Sequence, residues 1–189
     1  MTRTGSTPER VLRVWPTIAG VAFAAGLVVI LRLGIADSST AADVLAAAAF
    51  VYLGSAALGH RSAAWPLFAL TFVLIGVGLV LEAFSAVWVM IVVATGLTVY
   101  GFVRGRAKPG WGLPLQLLAM FVVIAVVVVA ALLPGPWSAV LAGIGLVVHA
   151  GWDAHHLRTG RVVAATMAEF CAALDVCLAV GVIVLAVAA

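Results

Sequence analysis

The chain is a succession of apolar stretches, each close to the length needed to cross a lipid bilayer, separated by short polar turns. The breaks define seven runs: Trp15–Leu31, Val44–Gly59, Ala64–Leu81, Phe84–Val103, Leu113–Leu133, Trp137–Ala154 and Val162–Val187. A transmembrane helix needs roughly 20 predominantly apolar residues. Several runs fall slightly short, which tilt or local thinning of the bilayer absorbs. Val44–Leu81 is too long for one crossing and divides at His60-Arg61. Pro134-Gly135-Pro136 ends the fifth run, because proline neither continues a helix nor tolerates one before it. The expectation is an all-α polytopic membrane bundle of seven transmembrane helices.

Composition agrees. Hydrophobic residues make up 66% of the chain and charged residues 9%, whereas a soluble domain carries about 25% charged residues. The 189 residues are consumed by the seven runs, so no soluble catalytic or nucleic-acid-binding domain is expected beside them. Residues 1–14 read as a cytoplasmic basic segment and 15–189 as a single transmembrane domain. Met1–Arg13 followed by Trp15–Leu31 resembles a signal peptide in outline. No polar mature domain follows, so the run reads as a retained first span.

Charge placement tests the segmentation independently. Seven crossings gather Arg3, Arg10, Arg13, Arg61, Arg104, Arg106, Lys108, Arg158 and Arg161 on one side, nine of the ten basic residues. The other side holds Arg32 with Asp37, Asp43 and Glu82. Basic loops stay cytoplasmic, so the N-terminus is expected inside and the C-terminus outside. The net charge of +3 is therefore a topology signal, and no nucleic-acid partner is expected. Trp15, Trp65, Trp88, Trp111, Trp137 and Trp152 fall near run ends, the position of aromatic belts. Nine arginines to one lysine, with abundant Ala, Val and Gly, fit a GC-rich bacterial genome, hence a bacterial plasma membrane.

An internal echo aligns Val44-Leu45-Ala46, Val51 and His60 with Val140-Leu141-Ala142, Val147 and His156 at a constant shift. Four crossings separate the matched runs, which would make a parallel 3+1+3 repeat of the kind some transporters contain.

Ionisable residues within a bilayer are costly and mark functional sites, and here they concentrate between His149 and Asp175. His149, Asp153 and His156 are spaced i, i+4 and i+7, one stripe down a helix, while His155 points elsewhere. At a rise of 1.5 Å per residue, His149 lies roughly 10 Å inside its run and Glu169 roughly 10–12 Å from Arg161. An imidazole and a carboxylate at matching depth are expected to meet. Asp175 lies deeper, about 120° around its helix from Glu169.

Three functions compete on these residues. His149, Asp153, Glu169 and Asp175 suit a proton or cation relay, hence cation- or proton-linked transport of a small solute. Alternatively, His149, Asp153, His156 and Glu169 offer N and O ligands for a divalent metal such as Zn or Fe in a membrane-embedded enzyme acting on a lipid or quinone-like substrate. In the third reading the cluster only satisfies itself within a structural or partner-binding subunit. Arg104, Arg106 and Lys108 are a topology signal first and an anionic-lipid contact second. Cys171 and Cys177 lie six apart on different faces of one helix, so no disulfide is expected. The only lysine is Lys108, which excludes a retinal Schiff base in the last span. His149 is the only histidine well inside a run, which argues against bis-histidine haem. HExxH, phosphate-binding glycine loops and a nucleophile elbow are absent, as is any histidine after His156, which excludes the seven-span hydrolases with HxxxH in their last helix.

Overall fold

A computed structural model describes residues 7–37, 39–81 and 83–188, with side chains from residue 14 onward. Arg3, Arg10, Arg13 and Glu82, used above to weigh the two sides, lie outside the described side chains. The described chain is all-helical: α1 (Thr7–Arg32), α2 (Ser39–Leu58), α3 (Ala64–Val80), α4 (Ala86–Val103), α5 (Leu113–Leu132), α6 (Trp137–Thr159) and α7 (Ala165–Ala188). A single 3-10 turn, Arg61–Ala63, joins α2 to α3. Every helix but α6 is long and apolar enough to cross a membrane. The exception is the helix that carries His149, Asp153, His155, His156 and Arg158.

Helix boundaries differ from the apolar runs where polar residues continue a helix. α1 starts at Thr7 rather than Trp15, and α2 starts at Ser39, whose amide donates to Asp37 Oδ1 at 2.9 Å. α6 runs on past Ala154 to Thr159, where Gly160 takes the left-handed conformation (φ 59°) that closes helices. α7 begins at Ala165 rather than Val162. These shifts alter which residues of α6 and α7 stand opposite each other.

The bundle is built around α2. Of its span, 78% is buried, against 17–39% for the other apolar helices. Its Ala46–Ala49 run has almost no side chain, so neighbours approach from every side, as small residues allow in membrane bundles. α2 contacts α3, α4, α5, α6 and α7, while α1 packs on α7 and α7 on α6. The α1–α7 seam is close because Gly20 has no Cβ; one there would strike the carbonyl oxygen of Phe170. The outward faces of α1, α3, α4 and α5 present Val, Leu and Phe, for example Val92 and Phe121, each more than 60% exposed. Such a surface is stable against hydrocarbon, not water.

The turns segregate by charge. Arg61, Arg106, Trp111 and Arg161 meet at one end: the Arg106 guanidinium covers Gly59, and Arg161 lies 4.8 Å from the Trp111 ring centre. Asp37 and Asp43 line a cavity at the opposite end. The sequence echo meets unlike surroundings. Val51 is buried and Val147 is 52% exposed, while His60 is exposed in a turn and His156 is buried within α6.

Candidate functional site

The depth of each ionisable group follows from helix ends. Thr159 is ten residues beyond His149, and Asp175 is ten residues beyond Ala165. Both side chains therefore lie about 15 Å from the shared turn, level on adjacent antiparallel helices. His149 Nδ1 is 2.9 Å from Asp175 Oδ2 and 3.5 Å from Asp153 Oδ2, one turn along α6. With carboxylates on both sides, that nitrogen carries the hydrogen, and Asp175 is the acceptor in hydrogen-bond range.

Tyr52, from the centre of α2, completes the group. Its hydroxyl donates to Asp153 Oδ1 at 2.6 Å. Its ring stands edge-on to both histidines, 5.5 Å from His149 and 4.8 Å from His156. Asp153 is 0% and Asp175 1% exposed. Asp153 Oδ2 has no hydrogen-bond partner among the described residues.

His156 belongs to a second layer nearer the basic end. The Trp152 carbonyl, 3.0 Å from His156 Nδ1, takes the hydrogen of that nitrogen and leaves Nε2 as an acceptor. Gln116 Nε2, from the first turn of α5, is 3.4 Å from that Nε2 and 3.4 Å from the Trp111 carbonyl. Gln116 Oε1 is buried without a partner among the described residues. A polar track thus runs Trp111–Gln116–His156–Tyr52–Asp153–His149–Asp175, partly through hydrogen bonds and, at the Tyr52–His156 step, through ring contact.

The four relay candidates divide. His149, Asp153 and Asp175 come together, whereas Glu169 faces α1, half-buried, and accepts from Thr17 Oγ1 at 2.5 Å. Of the candidate metal ligands, His149 and Asp153 are joined by Asp175: donor atoms of these three lie within 4.8 Å of one another, all buried. His156 turns to Gln116. His155 is exposed. Cys171, beside Asp175 on α7, is a free thiol 3.5 Å from Met167 Sδ, and Cys177 is free as well.

Tyr52 and Gln116 were missed from the sequence. Tyr52 reads as one more apolar residue in a long apolar run. Gln116 is the only amide side chain in the chain, and a lone amide at the start of a span is a signal that scarcity alone could have raised.

A cleft beside the buried Asp175 opens to the outside of the bundle. It measures about 470 Å³ and lies between α1, α2, α3 and α7, lined by Phe23, Leu27, Val51, Phe72 and Leu174 and ending on Asp175 and Cys171. Phe23, Phe68 and Phe170 form an edge-to-face cluster, centroids 5.0–6.1 Å apart, on the side of the cleft nearer the basic end. Toward the other end the cleft shares Ile75 and Leu79 with a cavity of about 970 Å³ whose lining includes Asp37 and Asp43.

Apolar helices long enough to span a bilayer, packed around buried ionisable groups, suggest a multi-pass membrane protein. Compared with known proteins, the chain matches no family model, no curated protein and no solved structure.

Proposed function

We propose that all seven helices cross a bacterial plasma membrane, basic end in the cytoplasm, and that the protein moves a small solute coupled to a proton or cation at His149, Asp153 and Asp175. α6 supports a seventh crossing: it runs from the Pro134–Pro136 turn at the acidic end to Gly160 at the basic end. Its ionisable stripe is turned inward, as bilayer-buried charges are.

The observation that carries the transport reading is one imidazole held between two fully buried carboxylates. Two carboxylates and one imidazolium leave a net negative charge in a low-dielectric interior, which is costly. A bound proton or cation removes that cost, so occupancy and bundle conformation are coupled. The cleft beside Asp175 and the cavity at the Asp37 end adjoin at Ile75 and Leu79. On the cytoplasmic side the aromatic cluster and the His156–Gln116 layer close the way. That asymmetry suits alternating access, with this state open away from the cytoplasm. The test is proton flux into proteoliposomes under an imposed potassium-diffusion potential, read by an internal pH dye. Asp175→Asn and Asp153→Asn are expected to abolish it, and flux at the wild-type rate in both variants would remove the trio from the mechanism.

One observation favours a second reading. His149, Asp153 and Asp175 present three donor atoms within 4.8 Å, one carboxylate oxygen lacking a partner. One nitrogen and two oxygens suit a divalent ion with open positions, and the apolar cleft suits a lipid or quinone-like substrate. Elemental analysis of purified protein decides: one equivalent of Zn or Fe, lost in His149→Ala, favours the enzyme.

A further inference from the structure

At the basic end, Ser55 of α2, Gly59 in the turn that follows it, Arg61, Arg106, Lys108 and Gly112 line a pocket of about 200 Å³. Three cations border it and, among the described residues, no carboxylate does. Among the described residues, none of the three is paired with an acid. Basic residues that serve only topology extend their heads into water. Arg106 instead folds back over Gly59, whose left-handed backbone (φ 65°) and missing Cβ make the space for the guanidinium.

Two donors on residues that line the pocket are orphaned. Ser55 is 1% exposed and its Oγ has no hydrogen-bond partner among the described residues; Arg106 Nε is buried and equally without one there. A helical hydroxyl ordinarily bonds a backbone carbonyl of the preceding turn. Thr71, Thr95, Thr98 and Thr159 all do so here. Ser55 does not. Buried donors left unmatched beside three cations call for an acceptor that is anionic and offers several oxygens.

We propose that this pocket binds a phosphate group. Its oxygens accept from Ser55 Oγ and Arg106 Nε, and Arg61 and Lys108 balance its charge. The guanidinium's forked donors match phosphate geometry, and lysine adds a point charge. The phosphate belongs either to the headgroup of an anionic phospholipid or to a free phosphate from the aqueous side. Its site is separate from His149, Asp153 and Asp175, so its fate does not depend on the transport reading.

The test uses the full chain in detergent. Inorganic phosphate is titrated while tryptophan fluorescence is followed, since Trp111 borders the pocket. In parallel, native mass spectrometry measures retention of phosphatidylglycerol from mixed micelles with phosphatidylcholine. Arg106→Gln and the milder Ser55→Ala are expected to weaken binding about tenfold or more, the effect of losing one charge-assisted hydrogen bond. Arg104→Gln and Arg158→Gln, which remove exposed cations outside the pocket, are expected to leave it unchanged. Saturable phosphate binding assigns the aqueous source, and phosphatidylglycerol retention without it assigns the lipid. The proposal is overturned if neither ligand binds, or if the Arg104 and Arg158 variants weaken binding as much as Arg106→Gln.

Discussion

Removing a single oxygen from α2 isolates the energy of the central site. In Tyr52→Phe the ring and its packing remain, but Asp153 Oδ1 loses its 2.6 Å donor. Asp153 is 0% exposed, so water does not replace the hydroxyl, and its other oxygen is already without a hydrogen bond. Neutral interhelical hydrogen bonds in membrane proteins are worth about 0.6 kcal/mol on average, because the unfolded chain in the bilayer also finds partners. Hydrogen bonds to a charged acceptor are worth about 1.5–3 kcal/mol. With the site read as two carboxylates and one imidazolium, this bond falls in the second range, so a loss of about 2 kcal/mol is expected, roughly thirtyfold in the unfolding constant. The assay is equilibrium unfolding in mixed micelles, run as a double-mutant cycle with Asp153→Asn. A coupling energy of about 1 kcal/mol or more between the two positions is expected for residues in direct contact. A variant within about 0.5 kcal/mol of wild type, with no coupling, would refute the assignment of Tyr52 as the donor that holds Asp153.

Further outcomes follow from the geometry. Glu169→Gln is expected to retain proton flux within a few-fold of wild type, since its partner is Thr17 rather than His149; complete loss in the flux assay would return Glu169 to the relay. Gly20→Val forces a side chain against backbone at Phe170, so a destabilisation of about 1–3 kcal/mol is expected, measured by the same unfolding experiment. For topology, cysteines placed at Ser62 and Ser85 in a chain with Cys171 and Cys177 replaced by Ala are expected to label from opposite sides of the membrane with an impermeant maleimide. Labelling from the same side would remove the crossing between them.

Much of the architecture was legible in residue order. Run lengths and turn chemistry placed all seven helices; six leave the long apolar record of a helix able to cross a membrane, and the sixth is marked by the turns on either side of it. The stripe of His149, Asp153 and His156 was legible for the same reason: one helix has one period. Partners across helices were not. The apolar runs end the sixth helix near Ala154 and begin the seventh at Val162, which sets His149 level with Glu169. The continuation to Thr159 and the later start at Ala165 move Asp175 into that place.

Periodicity and charge, then, determined by themselves that the chain forms apolar helices with its basic turns gathered at one end and its ionisable groups on α6 and α7. Only the tertiary structure decided that His149 stands between two aspartates, that Tyr52 from the most buried helix holds one of them, and that Glu169 turns away toward α1. The physical reason is that pattern within a helix depends on local geometry alone. Which faces meet depends on where each helix ends and on how closely its small residues let a neighbour approach, and both are settled by packing of the whole bundle.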